Sequence, residues 1–109
     1  MEVVATSPHA WFLFKEADAL FLDVECNHSA FGYSWMIELN EYEFERYASE
    51  GSSFLDQLAQ SIQFSAPVVK DSKSPYKKRD VSKQHYDATM EAVRQWKSKQ
   101  AQQGAAQNP

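Results

Sequence analysis

The stretch "LFLDVECNHSAFGYSWMIEL", residues 20–39, decides how this chain folds. Leu20, Leu22, Val24 and Cys26 alternate with Phe21, Asp23 and Glu25, and Tyr33, Trp35, Ile37 and Leu39 alternate as cleanly with their neighbours. Period two with β-branched and aromatic residues marks strands. Laid antiparallel, with Asn27 and Gly32 closing the four-residue loop "HSAF", the two segments match face to face. Cys26 opposes Tyr33, Val24 opposes Trp35, Leu22 opposes Ile37 and Leu20 opposes Leu39. On the other face Glu25 meets Ser34, Asp23 meets Met36 and Phe21 meets Glu38. A slip of one residue would turn one strand's apolar set to the wrong face, so the pattern specifies the register. Asn and Gly suit the ends of such a loop.

Working outward, "AWFLFKE" (10–16) reads as a further strand, turned into the hairpin by "EAD" (16–18). A three-residue loop would put Phe12 and Phe14 on the core face; a two-residue loop would put Trp11 and Leu13 there. Either way two large side chains join Phe21 and Met36 on the opposite face, and something should cover them. After the sheet, Asn40 with Glu43 suggests a capping box opening a helix, with Phe44, Tyr47 and Ala48 on one side and Gly51 as its stop. "SSFLDQLAQSI" suggests a second helix, with Ser53 and Asp56 as its cap pair and an apolar stripe of Phe54, Leu55, Leu58, Ala59 and Ile62. Residues 65–82, with two prolines and many short polar residues, read as a loop. A last helix is expected from about Ser82 to about Gln100, with Tyr86, Met90, Val93 and Trp96 along one side. The expected fold is therefore α+β: a three-stranded antiparallel β-meander, two short helices, a basic loop and a C-terminal helix. Residues 1–100 would form one domain and 101–109 a disordered tail.

The 109-residue chain has 43% hydrophobic residues, which excludes disorder throughout. Its single cysteine excludes an internal disulfide. "MEVVATSPH" has no basic stretch of the kind that opens a signal peptide, and the longest apolar run, "AWFLF", is far short of a membrane span. A reduced, cytoplasmic setting without membrane contact is the expectation. The net charge of −4 is unevenly spread: residues 16–63 carry −9 and residues 64–109 carry +5. An acidic body joined to a basic end suggests either that the two dock on each other or that each meets its own partner.

Cys26 and His28 lie close enough to raise the question of a nucleophile and its base. Alternation aims Cys26 into the core, however, where a cysteine acts as a small hydrophobe with a raised pKa. A structural zinc site needs four ligands, and His9, His28 and His85 are widely spaced. Asp23, Glu25 and Glu38 read as the solvated face of the sheet rather than a metal site. Glu41, Glu43, Glu45 and Glu50 suit a helix N-terminal region or an acidic protein-binding surface. In the loop, Lys70, Lys73, Lys77, Lys78 and Arg79 surround Tyr76, a weak signature of phosphate contact and base stacking. No phosphate loop, nucleophile elbow or zinc-protease motif is present in the sequence.

The expected function is accordingly non-enzymatic, without cofactor or metal: a small interaction module of adaptor, inhibitor or immunity type. It would be homodimeric or partner-binding through an apolar sheet face made from Trp11, Phe12, Leu13, Phe14, Phe21 and Met36. The alternative is a nucleic-acid-associated factor using residues 70–79, with Lys73, Tyr76, Lys77, Lys78 and Arg79 as anion contacts. A small enzyme with a site near His28 comes third.

Overall fold

The computed structural model describes residues 1–28 and 30–107. Four strands form one antiparallel sheet in chain order: β1 (Glu2–Ser7), β2 (Trp11–Glu16), β3 (Ala19–His28) and β4 (Phe31–Glu38). The helices are α1 (Glu41–Glu50), α2 (Ser52–Phe64) and α3 (Tyr86–Gln107), with a single 3-10 turn at Lys77–Arg79. The α+β class with an antiparallel sheet and three helices is as expected, but the sheet has four strands, not three. The strand absent from the sequence reading is β1. Its run "EVVATS" is short, and a register shift between Val3 and Ala5 breaks its alternation, leaving Val4 exposed. That irregularity hides a strand from a period-two search.

The central hairpin has the expected register. Val24 pairs with Trp35, Leu22 with Ile37, Asp23 with Met36 and Cys26 with Tyr33. Pairing continues past Asn27–Gly32 to His28–Phe31, so the strands run further into the loop than expected. The turn from β2 to β3 is the two-residue form, because Glu16 pairs with Ala19. Ala17 carries its tight reversal at a positive φ of 53°. Trp11 and Leu13 therefore face α2, and Phe12 and Phe14 face the opposite way.

Each face of the sheet has its own cover. On one, Trp11, Leu13, Leu22, Val24 and Ile37 pack against Phe54, Leu55, Leu58, Ala59 and Ile62 of α2. All five members of the expected α2 stripe are buried. On the other, Phe14, Phe21 and Met36 pack against Ala92 of α3, with Phe12 and Val93 beside them. Trp96 stands edge-on to Phe12 with ring centres 5.4 Å apart, and His85 lies over Phe21 at 4.6 Å. The cover thus begins at His85, just before α3, and runs through Thr89, Ala92, Val93 and Trp96 of the helix. Tyr86 and Met90, expected on that face, are 61% and 57% exposed. The packed stripe sits about one residue away from the large apolar side chains, and its buried members are the small Thr89 and Ala92. The helix is described to Gln107, and residues 108–109 of the expected disordered tail lie outside the described residues.

The capping box of α1 is complete. The Glu43 amide donates to Asn40 Oδ1 at 2.8 Å, and the Asn40 amide donates to Glu43 Oε1 at 2.9 Å. Phe44 and Ala48, expected to turn inward, are exposed, and the one buried residue of this helix is Glu43. The expected cap pair of α2 does not form either. Gly51, at φ 67°, ends α1 and begins α2 with no side-chain cap. Asp56 instead accepts the Trp11 indole N–H at 2.9 Å, so the buried indole takes the carboxylate that the sequence pattern gave to the helix end.

Candidate functional site: the hairpin tip and the open edge of β4

The residues expected to form an apolar interface are all inside the chain's own fold. Trp11 and Leu13 lie under α2, while Phe12, Phe14, Phe21 and Met36 lie under α3. The surplus apolar surface is covered intramolecularly.

The basic loop is largely spent on structure. Arg79 grips Glu43 with two bonds, Nη1 to Oε2 at 2.9 Å and Nη2 to Oε1 at 2.6 Å, and also reaches the Glu38 carbonyl at 2.9 Å. These bonds raise the Arg79 pKa, chiefly through the hydrogen bond to Glu43. Lys77 Nζ donates to the carbonyls of Pro67 and Val69. Tyr76 is half-buried against the core, and its carbonyl accepts the Trp35 indole N–H at 2.9 Å. Of the five proposed anion contacts, only Lys73 and Lys78 project into solvent. The basic segment is docked on the acidic body.

This docking has a consequence for the sheet. An edge strand presents its outward N–H and C=O groups in alternate residues. On β4 these belong to the even-numbered positions. The Met36 carbonyl accepts from the Val81 amide at 2.9 Å, and the Met36 amide donates to Asp80 Oδ1 at 3.3 Å and Ser82 Oγ at 3.2 Å. Glu38 is taken by Arg79. The segment Arg79–Ser82 thus seals the lower half of the edge. Gly32 and Ser34 continue the same outward series, both are exposed, and among the described residues nothing bonds to their outward backbone groups.

Beside this open half-edge stands an aromatic row. Phe31 stacks on Tyr33 at 6.2 Å and 19°, and Tyr33 meets Trp35 edge-on at 6.2 Å. Phe31 is 59% exposed. Tyr33 Oη is buried with no hydrogen-bond partner among the described residues. Burial, helped by the neighbouring Cys26, pushes its pKa up to about 12. No charged residue interrupts β4 from Phe31 to Ile37.

Cys26 faces the core at 2% exposure, and burial pushes its thiol pKa up. His28 is exposed on the last pair of the hairpin, while the Cys26 thiol lies against the Val24 carbonyl at 3.7 Å. Among the described residues no group of three or more His, Cys, Asp or Glu side chains could hold a metal ion. Asp23, expected on a solvated face, is half-buried on the α3 side. Burial first, then Glu25 and Asp80, lifts its pKa to about 6. An open cleft of about 480 Å³ lies between His9, Trp11, Glu25, Asn27 and Asp56, and of its two carboxylates Asp56 is already bonded to Trp11.

No protein-family model, curated protein or solved structure matches this chain. Its physical features are therefore the ground for a functional reading. No described helix is long and apolar enough to cross a membrane. The open β4 edge was legible only in part. The uncharged aromatic run 31–35 was visible in the sequence, but which backbone groups stay unpaired depends on where residues 79–82 return.

Proposed function

We propose that this protein is a non-enzymatic interaction module that engages other polypeptide through the tip of the β3–β4 hairpin. The observation that supports this reading is the coincidence of the exposed Phe31, stacked on a half-buried Tyr33, with two backbone positions, Gly32 and Ser34, that have no outward partner among the described residues. An uncovered, uncharged edge is a liability that folded chains ordinarily blunt with charge, proline or a covering segment. This chain blunts β1 with an irregular register and covers the Met36–Glu38 half of β4, yet among the described residues the outward backbone groups of Gly32 and Ser34 stay uncovered. The nucleic-acid reading is weaker because Lys77, Arg79 and Tyr76 are engaged within the fold.

The test is site-specific photo-crosslinking in cells, with a photoreactive phenylalanine analogue at position 31. The same analogue at Phe64, an isolated hydrophobe 79% exposed on α2, is the control. Discrete protein adducts from position 31 and none from position 64 are expected. Equal yields from both sites, or none from position 31, would remove the reading.

A further inference from the structure

We infer that the occupant of the open β4 edge is a second copy of this chain, paired antiparallel about a two-fold axis at Tyr33. This rests on the hairpin-tip reading above and names its partner. A two-fold axis requires the same strand on both sides, so the edge must complement itself. Hydrogen-bonded pairs form only between residues whose N–H and C=O both point outward. Among the described residues the outward positions without a partner are Gly32 and Ser34, while Met36 is already taken by Val81 and Ser82. One antiparallel register uses both free positions on both copies and asks no bond of Met36, which then faces Ala30, in the turn before the partner strand begins. In it Gly32 opposes Ser34 of the other copy, and Ser34 opposes Gly32. A shift toward Gly32 against Gly32 moves Ser34 beyond the partner strand. The opposite shift, Ser34 against Ser34, sets Gly32 against the occupied Met36.

The side chains suit the same register. Tyr33 would meet Tyr33 across the axis, and Phe31 would meet Trp35 at each end. On the reverse face only Gly32 and Ser34 meet. No charge opposes a like charge anywhere in the paired run, although each copy carries a net −4. A foreign strand would find the same backbone groups, but nothing along the edge selects its sequence. The copy is selected because its own aromatic row is in phase. Four backbone hydrogen bonds and one aromatic row make a small interface, of the size found in weak, transient associations.

The experiment is sedimentation velocity on the full chain from low micromolar to near-millimolar concentration, paired with amide hydrogen exchange at both extremes. Reversible dimerisation is expected, with the Gly32 and Ser34 amides gaining protection at high concentration. Tyr33 and Trp35, already bonded to β3, should change little. Ser34→Pro removes one outward N–H that the monomer does not use, and proline is tolerated on that side of an edge strand. It should weaken dimerisation at least tenfold while Cys26 stays protected from thiol reagents, which reports an intact fold. Phe31→Lys should do the same independently, should Ser34→Pro disturb the strand. A chain that stays monomeric throughout, or a dimer indifferent to both substitutions, overturns the self-pairing. If it is monomeric and crosslinks from position 31 to another protein persist, only the self-pairing fails. If those crosslinks are also absent, the hairpin-tip reading fails with it.

Discussion

Arg79 closes a two-pronged ion pair on Glu43, the one buried residue of α1, and so fastens the chain's basic segment to its acidic half. Glu43 has a second duty at the same atoms, since Oε1 also accepts the Asn40 amide that opens the helix. One carboxylate therefore joins a helix cap, a loop and, through the Glu38 carbonyl held by the same guanidinium, the end of β4. Arg79→Ala would leave Glu43 buried and under-bonded. Its expected cost is about 2–3 kcal/mol, toward the low side for a broken buried pair because the guanidinium is partly exposed. Urea unfolding measures it. Arg46→Ala, which removes the exposed Arg46–Glu50 pair, should stay close to wild type. Equal effects from the two substitutions would show that the Glu43 pair does not anchor the loop.

Asp23 gives a pH signature. Its carboxyl is lifted to about 6 by burial, then by Glu25 and Asp80. A folded-state pKa above the unfolded one means the fold prefers the protonated acid. Below about pH 4 both states hold the proton and there is no penalty. Between there and the folded value of about 6 the unfolded chain ionises first, and stability falls. Above it the penalty is full, about 2–3 kcal/mol. Asp23→Asn should therefore raise the melting temperature at neutral pH and change it little near pH 4. A variant with the same effect at both pH values would show that Asp23 is not the titrating group.

Cys26 should behave as core. A thiol reagent should label it slowly in the folded protein and quickly in denaturant, because the side chain is buried and its thiolate disfavoured. Cys26→Ala should cost about 1 kcal/mol, the order of magnitude for trimming a small buried side chain. Rapid labelling of the native protein at neutral pH would contradict the burial.

The cover supplied by α3 can be lifted. Ending the chain after Ser82 would bare Phe12, Phe14, Phe21 and Met36 together, a contiguous patch that soluble monomers avoid. Light scattering should show association or precipitation of the shortened form. In the full chain Ala92→Arg drives a guanidinium between Phe14, Phe21 and Met36, and should destabilise by about 3 kcal/mol or more. If the shortened form stays monomeric and folded, α3 is not the lid.

Some of this protein was determined by the sequence alone. The hairpin register followed from alternation, because a period-two pattern with one buried face admits no slip between Val24–Trp35 and Leu22–Ile37. The α2 stripe followed from its helical spacing, and the α1 cap from Asn40 and Glu43, since both are local geometry. The burial of Cys26 followed from the same alternation.

What the tertiary structure decided lies where two distant segments compete for one group. Local pattern gave Asp56 to a helix cap, but the indole of Trp11, buried at 2% exposure, needs an acceptor more than an exposed helix end does. It made Glu43 an inward residue, because Arg79 arrives 36 positions later to neutralise it. It turned the packed face of α3 toward the buried Thr89 and Ala92, not toward Tyr86 and Met90. It also decided which half of the β4 edge is open. Where residues 80–82 return to the sheet depends on the packing of the whole chain and not on local pattern, so no reading of the sequence alone could show that Met36 is sealed by them while Gly32 and Ser34 have no partner among the described residues.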